Sequence, residues 1–100
     1  MEVKITTIEE LQPGEMIGIT QQGKNILISN VNGEYFAIGN NCTHLGCLLS
    51  NGILDGDRVE CPCKGSVFDV KTGAVLTGPA EAPEPAYELK IKEGQVILVM

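Results

Sequence analysis

One hundred residues, 43% of them apolar, suffice for one domain with a core of its own and leave no room for a second. A formal charge of −6 argues against a nucleic-acid partner, because phosphate binding needs a basic stripe; it suits simple solubility or a basic partner surface. The polar start MEVKITTIEE does not resemble a signal peptide, and the longest apolar run, VILVM at residues 96–100, falls far short of a membrane span. The expectation is a cytoplasmic monomer.

Short β-branched runs punctuated by Gly, Pro and Asn then follow one another along the chain. Strands are predicted at EVKITT (2–7), EMIGIT (15–20), NILISNV (25–31) and EYFAIGN (34–40). Further strands are predicted at RVEC (58–61), SVFDV (66–70), AYELKIK (86–92) and QVILVM (95–100). Asn32-Gly33 is a strong two-residue hairpin signal. The stretches 71–73 and 92–95 read as further tight turns. TIEEL (7–11) offers one helical turn with Thr7 as its cap, and no 3.6-residue period runs further, so the chain reads as all-β. GPAEAPEPAYE (78–88) reads as a proline-rich loop, and its acidic residues Glu81, Glu84 and Glu88 as a solvated edge.

The middle third is different. From residue 40 to 73, short strands are interrupted by two cysteine-bearing loops and by NGILDGD, whereas 1–39 and 74–100 carry longer strands. This pattern predicts a base barrel or sandwich of 1–39 and 74–100 with a small inserted lobe, 40–73, that presents a site.

All four cysteines and the only histidine fall within residues 42–63. With no signal sequence, this favours a metal or redox role over a secretory disulfide framework. CTHLGC (42–47) offers a thiolate and an imidazole. CPCKGS (61–66) offers a thiolate and, where a second nitrogen ligand would stand, Lys64. Two such loops suit a two-iron cluster with thiolates on one iron and neutral nitrogens on the other. Zinc held by Cys42, His44, Cys61 and one more cysteine is the weaker reading, since the C-x2-C knuckles that zinc favours are missing. Lys64 is the anomaly: a charged ammonium has three donors and no lone pair for a cation.

CTHLGC, CPCKGSVFD and the later GPA resemble the two cluster-binding loops and the proline loop of Rieske 2Fe–2S proteins. The segments VNGEYFAIGNNCTHLGC, NGILDGDRVECPC and VFDVKTG follow the order of that family. The resemblance implies a Rieske fold and a 2Fe–2S cluster, with Cys42 and Cys61 on the inner iron and His44 on the outer. It also implies a loop-bridging disulfide between Cys47 and Cys63, the alternative being reduced core thiols. Ser66 corresponds to a hydroxyl that raises the potential, Pro79 lies in the proline loop, and Phe68 stands where high-potential respiratory members carry tyrosine. Together these imply a mid- to low-potential ferredoxin.

Lys64 replaces the family's second histidine. It could bind iron as a neutral amine, turn outward and leave a small ligand or a rearranged cysteine in its place, or mark a lost cluster. The intact remainder of the motif favours a recent or engineered replacement of histidine over decay. The implied function is one-electron transfer between a reductase and an oxygenase or similar acceptor, without enzyme activity of its own, because one histidine cannot build a two-His-one-carboxylate iron site. The alternative is an accessory Rieske-fold subunit of a larger redox enzyme.

Overall fold

The computed structural model describes residues 1–100. Ten strands follow in order: β1 (Glu2–Thr7), β2 (Met16–Gln21), β3 (Lys24–Val31), β4 (Glu34–Gly39), β5 (Ile53–Asp55), β6 (Arg58–Glu60), β7 (Val67–Asp69), β8 (Val75–Thr77), β9 (Ala86–Lys92) and β10 (Gln95–Val99). One 3-10 turn at Leu49–Asn51 is the only helix. No helix is long and apolar enough to cross a membrane.

The strands form two antiparallel sheets. One has six strands in the order β1-β10-β9-β4-β3-β2, and the other has four in the order β5-β6-β7-β8. Turn chemistry sets the hairpins. Asn32 and Gly33 take φ of 54° and 93° between β3 and β4, the left-handed pair a two-residue hairpin requires. Glu93-Gly94 does the same between β9 and β10, and Gln22-Gly23 between β2 and β3, the last without a strong signal in the sequence. TIEEL closes into a single turn: Leu11 N–H donates to the Thr7 carbonyl at 3.1 Å, and Glu10 N–H to Thr7 Oγ1 at 3.2 Å.

Two short strands depart from the predicted elements. β5 lies in the stretch read as a loop, and β8 pairs with β7, so the small sheet continues past residue 73. Both are three residues long, too short for an alternating pattern to register.

Strand β3 explains how the core is divided. Its side chains alternate faces, so Ile26 and Ile28 pack with Leu11, Ala37 and Leu98 inside the larger sheet. Leu27 and Val31 face the other way, joining Ile38 to Leu49, Val59, Phe68 and Val70. This second cluster fastens the small sheet to the large one, and Cys42 and Cys61 belong to it.

Candidate metal centre

Two loops of matching construction meet at one end of the small sheet. The first leaves β4, and Cys42 N–H donates to the Cys47 carbonyl at 2.8 Å while Gly46 N–H donates to the Cys42 carbonyl at 2.7 Å. The second leaves β6, and Cys61 N–H donates to the Ser66 carbonyl at 2.7 Å. In both, the first cysteine amide closes onto the carbonyl five positions later. A Cys47–Cys63 disulfide joins the loops, with Cα atoms 6.3 Å apart.

Cys42 and Cys61 are free thiols at 2% and 1% exposure. Burial pushes the Cys61 thiol up; the N–H of Cys63, 3.4 Å from its sulfur, pulls the other way, and the neighbouring Cys42 thiol and Glu84 raise it further. His44 and Lys64, by contrast, are exposed. Lys64 adopts φ 65°, a left-handed conformation that is costly for a residue with a long side chain, and Gly65 continues it at 73°. The fold thus brings the two thiols together in a dry site and leaves the two nitrogen-bearing side chains at its surface. No three His, Cys, Asp or Glu side chains converge to hold a metal ion.

A third segment, residues 78–85, covers the site from the side. Ala80 N–H donates to Ser66 Oγ at 3.0 Å, which leaves the fully buried hydroxyl's own hydrogen for another acceptor. Thr43 Oγ1 donates to the Ala82 carbonyl at 2.6 Å. Pro79 is exposed and follows a cis peptide bond. It lines, with His44 and Glu81, an open cavity of about 450 Å³. Phe68 is fully buried in the core cluster that contains Cys42 and Cys61.

Glu84 overturns the reading of an acidic, solvated edge. Glu81 and Glu88 are exposed, but Glu84 is only 5% exposed and its Oε2 has no hydrogen-bond partner. Burial raises its carboxyl from the ordinary 4.5 to about 7, against the Thr43 backbone amide, which lowers it. Two glycines make the room: a Cβ on Gly39 would lie 2.4 Å from Glu84 Oε1, and one on Gly73 would lie 2.1 Å from the Glu84 carbonyl oxygen. The flanking Pro83 and Pro85, which fix the local backbone, were the available sequence signal.

The donor chemistry fits a 2Fe–2S cluster at its thiolate half, where two buried thiols lie together, and supplies exposed nitrogen groups on the same two loops for the other half. Comparison with known proteins agrees. The model of the Rieske [2Fe-2S] domain matches residues 1–93. The chain is 35% identical over 97 residues to the ferredoxin component of a naphthalene 1,2-dioxygenase system from Pseudomonas aeruginosa, covering 97% of this chain and 92% of that protein. It is 39% identical over 97 residues to a biphenyl dioxygenase ferredoxin subunit from Pseudomonas sp. (strain KKS102), covering 96% and 88%. Among solved structures, it superposes with a TM-score of 0.93 and 33% identity on a chain in the complex of reduced oxygenase and oxidized ferredoxin of carbazole 1,9a-dioxygenase, covering 97% and 91%. With its all-β fold, paired thiol loops and bridging disulfide, this chain belongs to the Rieske 2Fe–2S domain family, and its cofactor is a 2Fe–2S cluster.

Proposed function

We propose that this chain is a cytoplasmic one-electron carrier that accepts an electron from a reductase and delivers it to a terminal oxygenase. The observation that carries this reading is the pair of buried free thiols, Cys42 and Cys61, held side by side under two disulfide-linked loops. The ferredoxin relatives, and the oxygenase complex in which a structural relative is found, support the direction of transfer. When bound, the cluster supplies reversible one-electron chemistry.

Cys42 and Cys61 would hold the inner iron as thiolates, and His44 the outer iron through a neutral imidazole nitrogen. Burial disfavours a free thiolate at Cys61, so the protein leaves that charge to be compensated by metal. Ser66, buried with its hydroxyl hydrogen unclaimed by Ala80, would donate to a cluster sulfide and favour the reduced state. Phe68 supplies only apolar packing there, which favours a mid to low potential. The base built from 1–39 and the C-terminal strands would act as scaffold, and the small sheet with its loops as the cluster-binding lobe.

Lys64 takes the place of the second nitrogen ligand. To bind, its nitrogen would have to be the neutral amine, the only form with a lone pair to give. The intact remainder of both loops supports a recent replacement of histidine at this position, natural or engineered. Lys64→His tests the assignment. After anaerobic purification, the parent chain is expected to contain iron and sulfide, at lower occupancy than the variant. The variant in its reduced state is expected to give the low average g-value of a Rieske centre. A parent chain without iron, beside a fully loaded variant, would identify Lys64 as a lost ligand.

A further inference from the structure

Glu84 has no part in the ligand set, yet it is the one carboxyl the fold buries, and it lies against the backbone of the first cysteine loop. We propose that Glu84 is the proton partner of electron uptake, taking one proton from solvent as an electron reaches the site between Cys42 and Cys61 and releasing it when the electron leaves. The inference rests on the carrier reading above.

Three features place Glu84 in this role. Its Oε2 is buried without a hydrogen-bond partner, so a carboxylate there is poorly compensated and a proton is the simplest remedy. Its segment is fastened to the first cysteine loop two residues earlier, where Thr43, between Cys42 and His44, donates through Oγ1 to the Ala82 carbonyl at 2.6 Å. Its charge also reaches Cys61, whose thiol it raises. That field acts both ways: negative charge added at the thiol site raises the proton affinity of Glu84. Burial already holds the carboxyl at about 7, so a modest further rise changes its protonation near neutral pH.

A route for the proton is present. A cavity of about 280 Å³ opens beside the carboxyl, lined by Lys24, Asn25, Asn40, Asn41, Glu84 and Tyr87. The titratable groups around Glu84 are Lys24 on β3, Tyr87 on β9 and Cys61 on the second loop; Lys24 is engaged over the Tyr87 ring, 5.9 Å from its centroid. The other neighbours, Gly39, Thr43 and Gly73, are uncharged. In the coupled step the reductase supplies the electron and water supplies the proton. One carboxyl O–H bond forms as one O–H bond of water breaks, the hydroxide passing to bulk solvent, and the net charge of the site is unchanged.

The test begins with iron and sulfide content and the visible spectrum. Midpoint potentials of the parent chain and Glu84→Gln are then measured from about pH 5 to about pH 9. Infrared redox difference spectra of the parent chain, with isotope-labelled glutamate, follow the carboxyl band without any substitution. Above neutral pH the variant is expected to have the higher potential and a flatter pH dependence. In the parent chain, a protonated-carboxyl band is expected to appear on reduction. Equal slopes in both proteins, or no carboxyl band in a loaded parent chain, would overturn the inference alone. A parent chain without iron and sulfide would overturn the carrier reading and this inference with it.

Discussion

The two cysteine loops share a backbone plan but not a means of support. Each is closed by its first cysteine amide onto the carbonyl five positions on, and each ends at the common disulfide or one turn beyond it. The first loop is tied at its middle, where Thr43 reaches the Ala82 carbonyl through its hydroxyl. The second is tied at its end, where Ser66 accepts the Ala80 amide, and its middle is the left-handed Lys64-Gly65 pair. The same proline-rich segment therefore braces both loops through different residues. A position such as 64, in the unbraced middle, can change side chain without losing a hydrogen bond to this segment, whereas Thr43 and Ser66 each lose one.

Cutting the link between the loops should have the largest effect on stability. Replacing Cys47 and Cys63 together by serine is expected to cost about 2–4 kcal/mol, as for a loop of moderate length released in the unfolded chain. Denaturant unfolding of the cluster-free protein measures it, and thiol titration of unfolded, unreduced protein should find only Cys42 and Cys61 reactive.

The next effect comes from Glu84, and its sign depends on pH. In the folded protein the carboxyl holds its proton up to about 7, while the unfolded chain releases it near the ordinary 4.5. Between these values the folded state binds more protons, so stability falls as pH rises through the interval and levels off above it. Glu84→Gln removes that decline. At pH 8 the variant should be more stable than the parent by about 2 kcal/mol, less than the full shift because solvent screens part of the charge. At pH 4 the two should nearly coincide in thermal or denaturant unfolding.

The smallest effect separates the two braces. Thr43→Val and Ser66→Ala each remove one hydrogen bond, worth about 1 kcal/mol. The Ser66 change should be the larger, because it strands the Ala80 amide in a buried site, whereas Thr43 is exposed. Hydrogen exchange at the Ala80 amide should rise in the Ser66 variant and stay unchanged in the Thr43 variant.

Much of this was legible in the sequence because it is local. Asn32-Gly33 carries its own hairpin, and the cysteine loops state their chemistry within six residues each. What escaped depends on residues distant along the chain. β8 pairs with β7 because of a register that three residues cannot advertise. Glu84 is buried because Gly39 and Gly73 leave space for it, and nothing in the acidic composition of its own segment reveals that.

The strands that frame the small sheet have a consequence for engineering. β4 leads into it and β9 leads out, and the two are hydrogen-bonded neighbours: Ile38 pairs with Ala86, and Gly39 N–H donates to the Pro85 carbonyl at 2.9 Å. Residues 40–85 therefore form a cassette whose ends are adjacent, grafted onto one ladder of the larger sheet. Such a cassette can be exchanged for another without rethreading the host. The incoming piece must still cover Leu27, Val31 and Ile38, the apolar socket the present one fills.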